Sequence, residues 1–244
     1  MRALVLAAGV GSRLGNLTEN IPKPMLQIDG RPILESNVRL LVRHGFNEIA
    51  INVHHLPKTI TSYFGDGKAF GARIRYSHEP ILLGTAGALI PLRSFLSTET
   101  FAVIYGDNIS TCNLSGMLEG HRTRNATITM ALWQREDVTA SGIVECAQNG
   151  LITRFAEKPR ASEVFSNWVS AGILLCEPRV FESIPPNQPT DFGRDVFPSL
   201  VQNHHSLFGY PMRLPERLWW VDTIDDYHRT VSNMKSSQRG ESWT

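Results

Sequence analysis

Cysteine is scarce in this sequence, and its few cysteines form no recognisable metal-binding or disulfide pattern. Cys112, Cys146 and Cys176 are widely spaced, and no two of them make a C-x-x-C pair. An odd number of isolated cysteines argues against both a disulfide framework and a zinc site. We therefore predict that all three are core residues of a protein in the reducing cytoplasm.

The sequence also lacks long apolar runs and an excess of charge of one sign. No apolar run approaches the roughly 18 residues of a membrane span, so neither a membrane helix nor a signal peptide is predicted. Lys and Arg number 24 against 23 Asp and Glu, which gives a net charge of +1. This balance supports neither nucleic acid nor an anionic membrane as a partner.

The residues that are abundant suit one folded unit of mixed α/β type. Of 244 residues, 42% are hydrophobic, and no repeat, linker or low-complexity tract interrupts them. Strand-like apolar runs alternate with helical spacings through the first half. Strands are predicted at 2–6, 48–53, 73–77 and 101–105, and helices at 32–44, 57–64 and 84–92. Such alternation is typical of a mostly parallel, doubly wound sheet flanked by helices.

The pattern changes from residue 126 onward, where strand-like segments follow one another with few helices between them. We predict that these segments form a smaller lobe of antiparallel strands beside the first sheet. A helix bent at Pro198 is predicted at 191–203 and a final helix at 224–235. The prediction is a single domain over 1–235, with parts at 1–125 and 126–235, and a polar tail at 236–244.

A glycine-rich loop follows the first strand, in the stretch VLAAGVGSRLG at 5–15. One interpretation is a dinucleotide-binding loop. Such a loop runs directly into a helix, and the next strand ends in an acidic residue. Here NLTENIPKPML follows, whose prolines exclude a regular helix, and the next strand ends in NVHH. Arg13 and Lys23 favour the other interpretation, in which backbone N–H groups and two cations hold a triphosphate.

Two pairs of adjacent histidines, His54-His55 and His204-His205, raise the question of a metal site. Neighbouring residues of a strand point to opposite faces, and no acid or cysteine stands at ligand spacing beside either pair. We interpret both pairs as structural.

Seven stretches, taken in order, resemble the sugar-1-phosphate nucleotidylyltransferase family. The first is LAAGVGSRLGNLTENIPKPMLQIDGRPILE, which contains the glycine loop. The others are EPILLGTAGAL at 79–89, YGDN at 105–108, FAEKP at 155–159, SAGILL at 170–175, DFGRDVFP at 191–198 and WWVD at 219–222. The resemblance implies a Rossmann-like, mixed but mainly parallel sheet flanked by helices. The region from INVHHLPK to GTAGAL most resembles the mannose- and heptose-1-phosphate guanylyltransferase branch.

The resemblance implies a reaction between a nucleoside triphosphate and a sugar 1-phosphate. A phosphate oxygen of the sugar attacks the α-phosphate in line, pyrophosphate leaves, and no covalent intermediate with the protein forms. Arg13, Lys23, Asp107 and Asp222 match the catalytic positions. The two aspartates match the family's metal ligands, which implies Mg²⁺ as cofactor.

The same resemblance implies which residues hold each substrate. Residues 1–125 would hold the nucleotide and 126–235 the sugar. Gly142, Glu157 and Lys158 match the sugar-phosphate site, with the lysine on the phosphate and the glutamate on ring hydroxyls. The nucleotide positions are Leu6, Ala7, Ala8, Gly9, Gly11, Ser12, Arg13, Glu79, Gly84 and Thr85.

The base and the sugar are left open, with GTP expected first. A Glu79 carboxylate that reached the base could accept from both N1–H and N2–H of guanine, whereas uracil and thymine offer N3–H alone. The alternatives are transfer from dTTP, UTP or CTP to another sugar or alcohol phosphate, or an inactive relative that binds nucleotide-sugar and regulates a partner enzyme. The last alternative rests on Thr223-Ile224-Asp225, which replaces the family's glycine-bearing turn after Asp222. A homo-oligomer is also left open.

Overall fold

The strands of the first half are short runs of branched apolar residues, each ended by a glycine or a polar turn. The computed structural model describes residues 1–9, 11–203 and 206–237. Its strands are β1 (Arg2–Leu6), β2 (Gln27–Ile28), β3 (Arg31–Pro32), β4 (Glu48–Val53), β5 (Arg73–His78), β6 (Phe101–Tyr105), β7 (Asn108–Ser110), β8 (Ile128–Gln134), β9 (Gly142–Cys146), β10 (Ile152–Glu157), β11 (Trp168–Cys176), β12 (Leu207–Pro211) and β13 (Leu218–Trp220).

Regular helices alternate with these strands and are joined by shorter helical turns. The α-helices are α1 (Ile33–Arg43), α2 (Pro57–Phe64), α3 (Arg93–Leu96), α4 (Leu114–Thr123), α5 (Phe197–Gln202) and α6 (Ile224–Ser237). The 3₁₀ turns are Ser12–Thr18, Lys23–Met25, Lys68–Phe70, Gly87–Leu92, Ala161–Glu163 and Pro178–Ser183, and a π-helical turn spans Phe192–Val196.

Nine strands of the described residues form one continuous sheet. Along it the order is β10-β9-β11-β6-β1-β4-β5, and β8 extends it from β11 to β12. The strands β6, β1, β4 and β5 are parallel to one another. β11 is antiparallel to β6, β8 and β9. The predicted fold class is therefore confirmed, and the antiparallel strands extend the first sheet instead of forming a second one.

The two faces of the sheet are covered by different helices, as the alternation of side chains along β1 shows. Ala3 and Val5 pack in a core with α1, α2 and α4, whereas Leu4 packs on the opposite face with α3 and α5. A smaller cluster under α6 contains Leu14, Ile109 and Val221 and closes the structure beside the glycine loop. Helices on both faces of a mostly parallel sheet leave the carboxyl ends of the strands as the open edge.

Three details differ from the sequence-based expectations. The predicted helix at 84–92 is a 3₁₀ turn at Gly87–Leu92 that leads into α3. Helix α4 was not predicted, and its N-cap is Asn113, whose side chain accepts from the Gly116 N–H. Cys146 is exposed and is not a core residue, although Cys112 and Cys176 are buried as expected.

Two further expectations concern the membrane and the chain ends. In the described part of the chain, no helix combines the length and apolar character that crossing a membrane requires. The final helix extends to Ser237, two residues beyond the predicted end. His204 and His205, and the rest of the predicted tail, lie outside the described residues.

Candidate functional site

The candidate site lies at the carboxyl ends of the parallel strands, where Gly106 brings two strand ends together. Its N–H donates to the Leu6 carbonyl at 2.9 Å. A Cβ at this position would sit 2.9 Å from the Leu6 oxygen and 3.0 Å from Val5 Cγ1, so glycine is required by the close approach. Asp107 follows directly and is thereby held beside the start of the glycine loop.

Gly11 of the glycine loop packs closely against Lys23. Gly11 has φ +71°, and a Cβ there would lie 2.9 Å from Lys23 Cβ. Thr18 Oγ1 donates to the Gly11 carbonyl at 3.1 Å and fixes the loop from the other side. A non-helical kink at Gly15 interrupts the 3₁₀ turn that follows, in agreement with the prediction that no regular helix begins here. Ala7 and Ala8, in contrast, are buried at the base of the loop.

The Lys23 side chain joins the two predicted metal carboxylates. Its Nζ lies 2.6 Å from Asp107 Oδ2 and 2.9 Å from Asp222 Oδ1. Arg13 Nη2 approaches the same Asp222 oxygen at 3.3 Å. The structure thus brings all four predicted catalytic residues together, from four separate segments of the chain. The side chain of Lys23 is 7% exposed, so its charge depends on these partners.

The charges of this cluster are mutually stabilised. Burial alone would lower the pKa of Lys23, but the ion pairs and hydrogen bonds with Asp107 and Asp222 outweigh it and raise the pKa. Burial alone would raise the pKa of Asp222, but Lys23, Arg13 and Arg135 outweigh it and lower the pKa. Asp222 is therefore a carboxylate and Lys23 an ammonium at neutral pH.

The turn after Asp222 is remodelled without moving that carboxylate away. Thr223 Oγ1 accepts from the Asp226 N–H at 3.1 Å, and Asp226 Oδ2 accepts from the Thr223 N–H at 3.2 Å. This reciprocal pair is a capping box for α6, and it replaces the missing glycine-bearing turn. Asp222 keeps its contact with Lys23, so the observation that favoured an inactive relative loses its force.

Two adjoining hollows meet at this charged cluster. Their volumes are about 260 Å³ and 470 Å³. The smaller is lined by Leu6, Gly9, Gly11, Lys23 and Pro24, and the larger by residues of the antiparallel strands and the π-helical turn. Both share a wall made of Arg13, Thr85, Tyr105, Asp107 and Asp222.

The predicted sugar-phosphate residues line the larger hollow together. The Glu157 carboxylate lies between two glycines, since a Cβ on Gly142 would be 2.8 Å from its Oε2 and one on Gly193 would be 2.4 Å away. Burial, and after it the repulsion of Asp191, raises the pKa of Glu157, although Lys158 and Arg194 act against the rise. A carboxylate held this way is prepared to accept hydrogen bonds from a ligand.

Lys158 stands out by its backbone. It has φ +48°, a left-handed conformation that non-glycine residues rarely adopt, and its N–H donates to the Ser141 carbonyl at 3.1 Å. Strained residues of this kind concentrate at ligand sites. The Lys158 side chain is 60% exposed, with its Nζ 3.8 Å from Glu157 Oε1, and so remains available to an anion.

Thr85 connects the two hollows through a hydrogen-bond network. Its Oγ1 donates to Asp191 Oδ2 at 2.8 Å and accepts from the Phe192 N–H at 2.9 Å. Asp191 also caps the π-helical turn by accepting from the Gly193 and Arg194 N–H groups. Gly84, before Thr85, has φ +80°, and a Cβ there would lie 2.4 Å from the Thr190 carbonyl oxygen. The predicted positions Gly84 and Thr85 therefore join the nucleotide half to the sugar half.

Glu79 is placed differently from the expectation. It is 2% exposed and is absent from the residues that line either hollow. Asn52 Nδ2 donates to its Oε1 at 2.8 Å and the Leu83 N–H donates to its Oε2 at 3.0 Å. Both carboxylate oxygens are thus engaged inside the protein, and a free carboxylate fork for guanine is wrong for this structure. His54 Nδ1 contacts the Glu79 carbonyl at 2.7 Å, which agrees with a structural role for that histidine.

Several residues that line the site carry no predicted role. Arg194 is a third cation in the larger hollow, and Gly193 makes room for Glu157. The motif DFGRDVFP carried the only signal for them, because a glycine before an arginine in a buried segment indicates a close approach. The other residues without a predicted role are Pro24 in the smaller hollow and, in the larger one, Tyr105, Asn108, Ala140, Ser141, Phe155, Ser170, Gly172, Asp191, Phe197 and Trp220.

Known proteins resemble this chain over nearly all of its described length. The family model described as Nucleotidyl transferase matches residues 2–236. A UTP–glucose-1-phosphate uridylyltransferase of Synechocystis is 36% identical over 253 residues, which cover 98% of this chain and 64% of that protein. A mannose-1-phosphate guanylyltransferase of Mycobacterium tuberculosis is 31% identical over 235 residues, which cover 95% and 64%. The chain thus spans less than two thirds of the length of these relatives.

Solved structures share the fold at lower identity. A Bacillus anthracis protein described as a glucose-1-phosphate thymidylyltransferase, in complex with sucrose, superposes with a TM-score of 0.86 at 23% identity and covers 100% of this chain and 97% of that one. HddC from Yersinia pseudotuberculosis, complexed with GMP-PN, gives 0.79 at 19% identity, with 96% and 99% covered.

Proposed function

Because the chain belongs to the nucleotidyl transferase family, we propose that it is an enzyme that transfers a nucleotidyl group from a nucleoside triphosphate to a sugar 1-phosphate. The observation that carries the proposal is the cluster of Lys23 with Asp107 and Asp222 at the boundary of the two hollows. A reaction between two anionic substrates needs such a group of charges where their phosphates meet.

Each hollow takes one substrate in this proposal. The nucleoside triphosphate occupies the smaller one, with its phosphates against the glycine loop, Arg13 and Lys23. The sugar 1-phosphate occupies the larger one, with Glu157 accepting from ring hydroxyls and Lys158 and Arg194 contacting its phosphate. The division is supported by the residues that line each hollow.

The proposed chemistry is an in-line displacement at the α-phosphorus. A phosphate oxygen of the sugar forms a bond to that phosphorus while the bond to the oxygen bridging the α- and β-phosphates breaks. Pyrophosphate leaves with the electron pair and carries the negative charge that Arg13 and Lys23 stabilise. Lys158 orients the attacking phosphate, and Thr85 holds the wall between the substrates. The protein provides alignment and charge stabilisation, with no nucleophile of its own.

Asp107 and Asp222 fit a divalent cation. Two carboxylate oxygens already converge on one positive charge, the Lys23 ammonium, and an oxygen-only pair is the donor set that Mg²⁺ favours. Among the described residues, no group of three or more His, Cys, Asp or Glu side chains is arranged to hold a metal. Phosphate oxygens and water would therefore complete the coordination. Bound Mg²⁺ would neutralise charge that develops around the α-phosphate.

The finer proposal is GTP as donor and mannose or heptose 1-phosphate as acceptor. It is supported by the guanylyltransferase relatives and by the resemblance of the segment around 51–89 to that branch. A second candidate, UTP with glucose 1-phosphate, is supported by the relative that is 36% identical. The buried Glu79 carboxylate no longer favours guanine over uracil. A cytoplasmic location belongs to the same proposal and is supported by three free cysteines.

The test is pyrophosphate release with Mg²⁺, each of ATP, GTP, CTP, UTP and dTTP, and glucose, mannose and heptose 1-phosphates. We expect one pair with GTP or UTP to dominate. Asp107→Asn serves as the matched inactive control and should lower kcat by about 10²–10³-fold, the scale for losing one charge-stabilising group. A protein that binds nucleotide and releases no pyrophosphate with any pair would contradict the enzyme and favour the regulatory alternative.

A further inference from the structure

A buried chain of hydrogen bonds lies between the glycine loop and the segment that precedes Thr85. The Ala7 N–H donates to Asn52 Oδ1 at 2.7 Å, and Asn52 Nδ2 donates to Glu79 Oε1 at 2.8 Å. The Leu83 N–H completes it by donating to Glu79 Oε2 at 3.0 Å. Asn52 is 3% exposed and Glu79 is 2% exposed, so water does not replace any of these bonds.

The polarity of this chain admits one arrangement. The carboxylate of Glu79 only accepts hydrogen bonds, so Asn52 must turn its NH₂ group toward it. That orientation leaves Asn52 Oδ1 to accept from the Ala7 N–H. A buried backbone N–H without an acceptor is costly, and a buried carboxylate without donors is more so. Each member of the chain therefore fixes the next one.

The chain of hydrogen bonds ends in two loops that border the smaller hollow. Ala7 follows β1 directly and precedes Gly9, which lines that hollow. Leu83 precedes Gly84 and Thr85, and its carbonyl accepts from the Thr190 N–H at 2.8 Å. The distance between these two loops decides whether a flat base fits between them. Asn52 near the end of β4 and Glu79 just after β5 set that distance, because their hydrogen bonds link Ala7 to Leu83.

We propose that Asn52 and Glu79 are a positioning pair that sets the affinity for the nucleotide through the spacing of these loops, without contacting the base. The inference rests on the proposed function, because it assigns the smaller hollow to the nucleotide. It implies that base choice resides in the loops themselves, whose residues Leu6, Gly9 and Thr85 line the hollow. It also implies that loss of the pair weakens every nucleotide alike.

The pair can be tested by moving its charge from one residue to the other. In Glu79→Gln the new NH₂ group must face a donor in either orientation, the NH₂ group of Asn52 or the Leu83 N–H. In Asn52→Asp two carboxylates face each other. The double variant N52D/E79Q restores every bond. Its carboxylate at position 52 accepts from the Ala7 N–H and from the new amide at position 79, and the oxygen of that amide accepts from the Leu83 N–H. The double variant is thus a matched rescue with unchanged net charge.

The measurements are the Kd of GTP and of UTP by calorimetry, the KM of the sugar 1-phosphate, kcat, and the thermal unfolding midpoint. We expect each single variant to raise both nucleotide Kd values by about tenfold or more, equivalent to about 1.4 kcal/mol. The double variant should return within about threefold of the wild type. The KM of the sugar 1-phosphate should stay the same, and kcat should change less than the nucleotide KM.

Two results would overturn the pair. If Glu79 contacts the base itself, E79Q weakens GTP selectively and N52D/E79Q remains as weak as E79Q, because the carboxylate has left position 79. If the pair is merely structural, the single variants lower the unfolding midpoint but bind nucleotide with wild-type affinity at temperatures well below that midpoint.

Hydrogen exchange of the Ala7 and Leu83 amides provides a readout independent of turnover, with faster exchange in each single variant and recovery in the double variant. A wild type that binds nucleotide without releasing pyrophosphate contradicts the proposed transfer and leaves the positioning pair standing.

Discussion

At the scale of single residues, Lys23 governs the charge balance of the cleft. Its ammonium occupies the position between Asp107 and Asp222 at which a divalent cation would share the same oxygens. The free protein therefore holds an internal counter-ion there. In the proposed reaction a bound triphosphate offers the ammonium an alternative partner, and the two carboxylates then become available.

Replacing this lysine should expose the carboxylate pair to metal ions. For Lys23→Met we expect Mn²⁺ to bind about tenfold or more tightly than to the wild type without nucleotide, as measured by electron paramagnetic resonance titration of free Mn²⁺. Lys23→Met combined with Asp222→Asn removes one ligand and should return the affinity to a low value. Equal Mn²⁺ affinity in the wild type and in Lys23→Met would show that the ammonium does not compete with metal.

In the proposed assignment Lys158 contacts the sugar 1-phosphate, so its kinetic effects should separate from those of Lys23. Lys158→Ala should raise the KM of the sugar 1-phosphate by about tenfold or more, because a charge-assisted contact is worth about 1.5–3 kcal/mol. The KM of the nucleotide should move little. Lys68→Ala is the matched control, since Lys68 is exposed and paired with Asp66. An equal rise in both KM values would contradict the assignment of Lys158 to the sugar 1-phosphate.

At the scale of elements, the π-helical turn Phe192–Val196 shapes the part of the cleft that we propose for the sugar. Asp191 caps it, and Gly193 within it faces the Glu157 carboxylate. Turns with π geometry are frequent at functional sites because the extra residue redirects neighbouring side chains. Here the turn presents a bare backbone to Glu157 and sends Arg194 into the larger hollow.

A methyl group on Gly193 should displace Glu157 without unfolding the protein. The clash involves the far end of a flexible side chain, at 2.4 Å from Oε2 and 2.8 Å from Cδ. We expect Gly193→Ala to raise the KM of the sugar 1-phosphate severalfold, with nucleotide KM and unfolding midpoint close to wild type. Gly120→Ala on α4 is the control, because its Cβ would meet the flexible Arg124 guanidinium. Unchanged kinetics in Gly193→Ala would exclude Glu157 from sugar binding.

Elements were predictable from sequence where the signal is local. The strands β1, β4 and β6 are apolar runs with turn residues at their ends, and the structure has them at the predicted bounds. Helix α4 carries a cap at Asn113 and a buried face, but Gly116 and Gly120 weaken its helical propensity and obscure the pattern.

The charged cluster at the cleft was predictable in its members and not in its contacts. Arg13, Lys23, Asp107 and Asp222 stand in recognisable motifs, whereas the ion pairs of Lys23 depend on how distant segments pack. Glu79 is the instructive failure. Whether its carboxylate points to the cleft or to Asn52 depends on the β4–β5 register, with Val53 opposite His78, which no local pattern encodes.

At the scale of the whole molecule, a buried polar cluster stabilises the edge opposite the cleft. His121 on α4 contacts Thr129 Oγ1 at 2.8 Å and Glu177 Oε1 at 3.1 Å. Cys176, which directly precedes Glu177, pairs with Phe101 at the start of β6. Asp107 lies at the opposite end of that strand, two residues after Tyr105. The cluster is therefore remote from the proposed chemistry.

His121 should make stability depend on pH. Burial lowers its pKa, together with Arg179 and Arg122, although Glu177 acts against the shift. Between this lowered value and the ordinary value of about 6.5, the unfolded chain binds more protons than the folded one. The contribution to stability is therefore fully present above about pH 6.5 and decreases as the pH falls below it.

Urea unfolding at about pH 7.5 and about pH 5.5 measures this contribution. We expect the wild type to lose more unfolding free energy between the two pH values than His121→Gln, which cannot take up the proton. Equal losses in the two proteins would show that other groups account for the acid sensitivity.

The antiparallel strand β11 pairs with both β6 and β9, so the two proposed substrate sites stand on one continuous sheet. In the proposed reaction the distance between donor and acceptor is then a property of the folded chain and is established before either substrate binds. On this proposal, a change of acceptor requires no change in the residues that bind the nucleotide. Exchange of the side chains around Ser141, Ser170 and Arg194 is the shortest route to an enzyme that makes a different activated sugar from the same nucleotide.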